Sequence, residues 1–468
     1  MKPPLTLYVL WHQEFKDGEK YANAIFSTFS RDVKEPLTRG IGIPVYFRTG
    51  TEERNIPLPI EMDKSERTAV IALIDAKFVI DDEWTSYLND INDKISPPHI
   101  LYPVAVTGSA FNLESDIPEK NFIRLYESEE PRKVEHLLIN LAQELCRLLY
   151  DRKRLADSGS ELSPAPIKIF LSHAKADGEE LIKKLKAYIE EKLSADTFFD
   201  ATDIAMGYKF PSEIDGNIKE SVLLVLHTDA YTTREWCRKE VIKAKRYSSP
   251  VVVINAFKKG EKRSFPYMAN VPNIKWDIES DESKDIIFDK LFSQVLTESL
   301  RFRFHRENIK YLLSIFEVEF EDRNILAYPP ELFTFLRIKS LDKKLMVYPD
   351  PPLGDAESGL LNEFEPDVRF ITPTTLPLLE SDNQKFLSDT RVGVSISECP
   401  DSFKYGFKLV HFQDALVECA RYLLMCGASV AYGGNIRYDK DLNFATLLFD
   451  LLILISVQDE TNNPGPGR

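Results

Sequence analysis

The chain has 468 residues, which at about 150 residues per domain predicts three domains rather than one compact unit. With 43% hydrophobic and 28% charged residues, its composition is globular and excludes wholesale disorder, a collagen-like repeat and a coiled-coil rod. Lys+Arg 59 against Asp+Glu 74 leave a net charge of −15, which argues against a direct nucleic-acid binder that works by neutralising phosphates. The longest apolar stretch, Ala445 to Val457, is about 13 residues with Asp450 inside it, short of the roughly 20 that a bilayer span requires. The N-terminal run Leu5-Thr-Leu-Tyr-Val-Leu10 is too short for a secretory segment, so a cytoplasmic chain without membrane contact is expected. Five cysteines are scattered with no C-x-x-C pair and seven histidines include no H-E-x-x-H, so neither a disulfide framework nor a metal site is expected.

From Leu5 onward, short apolar runs alternate with amphipathic stretches, the pattern of α/β units with mainly parallel sheets. In a first unit, residues 1–150, strands are expected at Leu5 to Trp11, Ile43 to Arg48, Val70 to Ile74 and Leu101 to Val106, with a closing helix from Val134 to Tyr150. Residues 151–166 are charged, small and proline-terminated, and read as a linker. A second unit, 167–300, opens with Ile167-Lys-Ile-Phe-Leu-Ser172 and continues with a helix at Gly178 to Lys192. Strands at Thr197 to Phe199, Val222 to Leu226 and Val251 to Ala256 follow, and a helix from Ile286 to Leu300 closes it. A connecting region, 301–389, holds a helix around Glu307 to Ile315 and a proline-rich turn from Tyr348 to Gly354. Arg391-Val-Gly-Val-Ser-Ile396 opens a third unit, 390–457, and 458–468 is expected to be a disordered tail.

An internal repeat is visible. Val70-Ile-Ala-Leu-Ile-Asp-Ala76, then Glu83-Trp84, matches Leu223-Leu-Val-Leu-His-Thr-Asp-Ala230, then Glu235-Trp236. Each is followed by a Pro-led apolar strand, at Pro103 and at Pro250.

Three motifs of the second unit belong together. A strand ends in Phe170-Leu-Ser-His173, with Asp177 placed to cap the next helix; a short strand Phe198-Phe-Asp200 is followed by Asp203; and Thr233-Arg-Glu-Trp-Cys-Arg-Lys-Glu240 starts a helix. In this order they resemble a Toll/interleukin-1 receptor (TIR) domain, whose helix start reads Ser/Thr-x-x-Trp-Cys-x-x-Glu. The resemblance implies a flavodoxin-like parallel sheet. For TIR domains of bacterial and axonal type it also implies NAD+ hydrolysis or cyclisation, with Glu240 as the catalytic glutamate. Phe170, Ser172, His173, Lys175, Asp203 and Trp236 would then surround the dinucleotide. The loop Ile204 to Phe210, with Gly207 as hinge, stands where the family has a loop rearranged by self-association, so a homo-oligomer through the TIR domains is implied.

The residues themselves support that chemistry. Trp236 and Glu240 are at i and i+4 and share one helical face. A carboxylate beside an aromatic wall suits cleavage of an N-glycosidic bond, because it stabilises the positive charge that develops as the base leaves. A lone exposed glutamate is ordinarily a solvated surface residue; the two upstream motifs single Glu240 out. His173 and His227 read more readily as structural than as catalytic, while Asp200 and Asp203 read equally as a strand end and loop cap or as groups that touch substrate or shape the pocket. In the first unit Trp84 aligns with Trp236 and Leu88 with Glu240, so that unit reads as a degenerate TIR-like domain, unless a register shift brings Glu83 or Asp90 into play.

In the third unit, Gly393-Val-Ser-Ile-Ser397, a helix from His411 to Leu424 and Gly427-Ala-Ser-Val-Ala-Tyr-Gly-Gly434 read strand, helix, strand, glycine turn. The pattern resembles the SLOG family of Rossmann-like nucleotide-sensing or nucleotide-processing domains, and implies that Ser395, Gly433, Gly434 and Arg437 contact a nucleotide. About 70 residues lie between Arg391 and the tail, fewer than a complete Rossmann-type domain uses, so a partial module is expected. The expected whole is a multi-domain α/β chain, TIR-like, TIR and SLOG-like. It would act as a TIR-domain NADase of the prokaryotic anti-phage type, with NAD+ as substrate and no cofactor or metal. A non-enzymatic TIR scaffold and a cyclase producing a cyclic ADP-ribose signal are the alternatives.

Overall fold

The computed structural model describes the chain except residues 1, 36–37, 39, 52–53, 131, 151–166, 193–195, 200–217, 219–220, 261–264, 269, 278–283, 339–343, 379–386, 397–399, 434–442 and 453–468. The linker and the tail expected from sequence therefore lie outside the described residues. The chain is multi-domain α/β with parallel sheets. Residues 1–128 and 304–468 form one compact unit, and residues 129–303 the other.

The N-terminal sheet is built from β1 (Thr6–Trp11), β2 (Val45–Arg48), β3 (Thr68–Ile74), β4 (Ile100–Ala105) and β5 (Ile123–Arg124) in the order β2-β1-β3-β4-β5, all parallel. Both β1 and β3 are buried along their whole length, as strands in a sheet covered on both faces must be, and so they read as unbroken apolar runs. The Gly18–Phe29 helix buries Tyr21, Ala22, Ile25, Phe26 and Phe29, a stripe at helical spacing. The Asp82–Lys94 helix starts where the Asp81 carboxylate accepts the N–H groups of Glu83 and Trp84.

In the 129–303 unit, β6 (Lys168–His173), β7 (Asp196–Phe199), β8 (Val222–His227), β9 (Val251–Asn255) and β10 (Asn273–Lys275) follow the same order, β7-β6-β8-β9-β10, again all parallel. The Lys133–Tyr150 helix clusters here and not with the strands before it. Arg132 at its start pairs with Asp289, and the buried Cys146 thiol donates to the Leu296 carbonyl at 3.4 Å. The two helices expected at 286–300 and 307–315 are one helix, Lys284–Ile315, whose residues up to 303 belong to this unit and whose remainder belongs to the other.

Beyond that helix, β11 (Leu345–Val347) and β12 (Arg369–Ile371) pair in parallel across the Asp355–Phe364 helix, and β13 (Arg391–Val394) and β14 (Ser429–Tyr432) across the Leu409–Met425 helix. The last of these helices docks on β2: His411 Nε2 lies 2.9 Å from the Val45 carbonyl, and its ring meets Phe26 and Phe47 edge to face. Gly406 makes the approach possible. Its φ is +82°, and a Cβ there would stand 2.0 Å from the Phe47 carbonyl oxygen. Among the described residues no helix is long and apolar enough to cross a membrane.

Candidate active site

In the β7-β6-β8 order, the connections leave β6 toward opposite sides of the sheet, and open α/β folds hold their ligands in the crevice this creates at the strands' carboxyl ends. Here β6 ends at His173 and β8 at His227. A turn at Tyr231–Thr233 then starts the Glu235–Tyr247 helix. Its first two turns face β6: the Cys237 thiol donates to the His173 carbonyl at 3.4 Å, and the Ser172 hydroxyl donates to Glu240 Oε2 at 2.5 Å.

A hydroxyl has one proton to give. Since Ser172 gives its proton to the carboxylate, it accepts from the Tyr231 hydroxyl, 2.6 Å away. Ser172, Tyr231 and Glu240 are 1%, 0% and 8% exposed, so the relay is shielded from water. Burial pushes the Tyr231 phenol well above its ordinary range, and the Glu240 charge pushes it further; the Ser172 bond pulls the other way. Tyr231 is thereby kept a donor. Asp177 does not cap the next helix. Its carboxylate accepts the Thr228 hydroxyl at 2.7 Å and the Ala230 N–H at 2.9 Å, tying the loop after β6 to the loop after β8.

The crevice is a cavity of about 530 Å³ lined by Leu171, His173, Ala174, Lys175 and Ala176 from the β6 side and Arg234, Trp236, Cys237 and Glu240 from the helix side. That volume suits a small-molecule ligand. Trp236 is 48% exposed, and its ring carries the Lys239 ammonium 5.0 Å from its centroid. A large aromatic left in water beside a nearly buried carboxylate is the reverse of ordinary burial preferences.

The structure thus brings His173, Lys175, Trp236 and Glu240 to one cavity, with Ser172 directly behind Glu240. Phe170 is elsewhere: it is 1% exposed and, two residues before Ser172 on the same strand face, lies deeper in the apolar core that the Glu235–Tyr247 helix packs against with Cys237, Val241 and Ala244. His227 is structural, bonded to the Asn255 amide and packed edge to face on Tyr231 and Phe257. Asp200, Asp203 and the loop containing Gly207 lie outside the described residues. Tyr231 and Arg234 went unnoticed in sequence; Arg234 stands inside the helix-start motif, whereas nothing in the spacing of Tyr231 marks it as the partner of a serine 59 positions away.

In the SLOG-like module, Ser395 follows β13 and Gly433 follows β14. The register Val394 to Tyr432 places both at the same carboxyl edge, exposed. Gly434 and Arg437 lie outside the described residues. In the N-terminal sheet the position of Glu240 is held by Leu88 and that of Trp236 by Trp84, both 0% exposed. The Trp84 indole N–H donates to Gln13 Oε1 at 3.0 Å, and His12 Nε2 lies 3.3 Å from Asp81, so this tryptophan is enclosed where Trp236 is exposed; a cavity of about 630 Å³ at the start of the same helix is lined by Arg54, Asn55, Ile56, Asp82, Glu83 and Ser86. No group of His, Cys, Asp and Glu among the described residues could hold a metal ion.

A family model described as "TIR domain" matches residues 169–282, and one described as "SLOG cluster2" matches residues 386–463. The chain carries a TIR domain and a SLOG domain. Among solved structures, the TIR domain of the Toll-related receptor TRR-2 from Hydra magnipapillata is 17% identical, covering 27% of this chain and 96% of that one, with a TM-score of 0.23. The TIR domains of the activated Roq1 resistosome that directly recognizes the pathogen effector XopQ are 22% identical, over 28% of this chain and 83% of that one, with a TM-score of 0.19. Tagatose-6-phosphate ketose/aldose isomerase from Escherichia coli is 13% identical, over 65% and 83%, with a TM-score of 0.19. No curated protein matches. The crevice and the Ser172–Glu240 bond lie within the span matched by the TIR model.

Proposed function

We propose that the TIR domain is an NAD+ glycohydrolase that cleaves the nicotinamide–ribose bond, with Glu240 as its catalytic residue. The observation that carries this reading is a nearly buried carboxylate, fixed by Ser172, lining a ligand-sized cavity beside an exposed tryptophan on the same helix face. Nicotinamide in NAD+ carries a positive ring nitrogen. As the C1′–N bond breaks, its electron pair goes to that nitrogen and nicotinamide leaves neutral, so no general acid is required. Positive charge develops on the ribose C1′ and ring oxygen, and the Glu240 carboxylate stabilises it. Water then adds at C1′ and releases its proton to the carboxylate, giving ADP-ribose.

In this reading Trp236 and His173 wall the nicotinamide riboside, Ser172 keeps Glu240 ionised and oriented, and the exposed Lys175 and Arg234 at the rim meet the pyrophosphate. Self-association of TIR domains switches the activity on in the cytoplasm, as a prokaryotic anti-phage response. The SLOG domain binds a nucleotide through Ser395, Gly433, Gly434 and Arg437. The N-terminal five-stranded sheet, inside the 1–150 read from sequence, is a degenerate TIR-like domain. Nicotinamide release by the purified full chain, measured as protein concentration rises, tests the proposal: specific activity should climb with concentration. Zero release at every concentration contradicts it. The same chromatogram separates linear from cyclic ADP-ribose.

A further inference from the structure

The net charge of −15 is unevenly placed. Residues 129–303 hold as many basic as acidic residues, so all of it falls on the unit formed by 1–128 and 304–468. The contrast is sharpest between two helices that stand at equivalent places of the repeat, after the central strands β3 and β8 of the two five-stranded sheets. The Asp82–Lys94 helix carries Asp82, Glu83, Asp90 and Asp93 against the single Lys94. The Glu235–Tyr247 helix carries Arg238, Lys239, Lys243, Lys245 and Arg246 against Glu235 and Glu240.

Packing decides which of these charges reach solvent. The acidic helix buries Trp84, Leu88 and Ile91, and its opposite face presents the exposed Asp82, Asp90 and Asp93, with Glu83 beside them. The basic helix buries Cys237, Glu240, Val241, Ala244 and Lys245, and turns Lys239, Lys243 and Arg246 outward at i, i+4 and i+7. On that outer face the one carboxylate is Glu235, which Lys239 holds at 2.7 Å. Asp90 is 74% exposed and Lys239 48%, so each stripe lies open in the single chain. An apolar side chain flanks each: Ile80, 73% exposed, before the acidic helix, and Tyr247, 36% exposed, at the end of the basic one. Like charges a helical turn apart repel one another, and a surface of opposite sign relieves both stripes.

We propose that these two faces dock on each other between copies of the chain, the acidic helix of one copy against the basic TIR-domain helix of the next. A second copy is the partner because the chain supplies both halves in equal number, and a nucleic acid would be repelled by the acidic half. The pairing is heterologous, one surface meeting a different one. A single helix-on-helix contact is smaller than the roughly 800 Å² per partner of a standard interface, so the association is concentration-dependent and salt-sensitive. It stands whether or not Glu240 cleaves NAD+. It also requires the N-terminal sheet, which association through TIR domains alone does not.

Sedimentation velocity of the full chain over rising concentration, in about 50 mM and about 500 mM salt, reads the contact. The wild type should self-associate at low salt and about tenfold or more weakly at high salt. Asp90→Lys with Asp93→Lys reverses the acidic face, and Lys243→Glu with Arg246→Glu reverses the basic one. Either pair alone should weaken self-association about tenfold or more. The first variant then bears two basic faces and the second two acidic ones, so mixing them should restore association. A chain carrying both pairs has its faces exchanged and complementary again, and should associate like wild type. Recovery of this kind cannot come from misfolding, so it decides the case even if one variant is less stable. A wild type that stays monomeric at low salt, self-association untouched by one or other reversal, or losses that neither mixing nor combination rescues would each overturn the proposal.

Discussion

At the scale of single residues, the Ser172 hydroxyl donates to the Glu240 carboxylate. A hydrogen bond donated to a carboxylate favours its ionised form, so Ser172→Ala should make Glu240 easier to protonate. The acid limb of the pH–rate profile for nicotinamide release should move up by about one pH unit, the equivalent of one charge-assisted bond. Ser172→Thr, which keeps the hydroxyl, should restore it, and Tyr231→Phe should move the limb the same way by less. An acid limb unchanged in Ser172→Ala would exclude the positioning role. The two aligned tryptophans should part company under mutation. Trp84, wholly buried and bonded to Gln13, should cost about 3–5 kcal/mol as Trp84→Ala. Trp236, half exposed, should cost within about 0.5 kcal/mol while weakening NAD+ binding; urea unfolding of each variant measures the contrast, and equal losses would contradict it. Sequence pointed to Ser172, His173, Trp236 and Glu240 because each stands inside a short motif. It did not separate Phe170 from Ser172, neighbours on one strand whose side chains take different environments, and it could not show the Tyr231 bond, which exists only once β6 and β8 pair.

At the scale of elements, the long central strands were legible because burial on both faces leaves unbroken runs of Val, Ile and Leu. The edge strands β5, β10, β11 and β12 have two or three residues each, too few for any pattern. Sequence places two helices, at 286–300 and around 307–315, where the fold has the single Lys284–Ile315 helix; Arg301 pairs with the 2% exposed Glu298 one turn earlier, and Lys310 with Glu307, so charges at the join are met along the helix itself. The seam between the Leu409–Met425 helix and β2 depends on Gly406. Gly406→Ala forces a side chain into a left-handed backbone and onto the Phe47 carbonyl, and should destabilise the seam by about 1–3 kcal/mol. Hydrogen exchange across Leu409–Met425 should accelerate in the variant, and unchanged protection would show that the seam does not hold that helix.

At the scale of the whole molecule, the two five-stranded sheets share one strand order, yet one crevice holds a carboxylate and the other a leucine under a buried tryptophan. The repeat was visible in sequence through its Glu-Trp pairs; that Trp84 is enclosed was not, since Gln13 and His12 reach it from a separate segment. The molecule also carries a pH dependence. His411 accepts the Lys408 N–H at Nδ1 and donates from Nε2 to Val45, the neutral tautomer. Burial lowers its pKa below the ordinary 6.5, against the pull of those two backbone contacts and Asp414. The unfolded chain therefore binds the proton first, and stability is lost as pH falls from about 6.5 toward the folded value. In calorimetry, the melting transition that drops on acidification should drop less in His411→Gln, with the residual slope including that of His99, which burial also lowers; identical slopes would exclude His411 as a source.

Nicotinamide release should be compared between the purified wild-type chain and Glu240→Gln, at matched protein concentration and with matched thermal unfolding. A fall of about 10²–10³ or more in the variant is the predicted result, the scale of losing an electrostatic stabiliser of the transition state. Release at the wild-type rate from a folded Glu240→Gln chain would contradict the assignment.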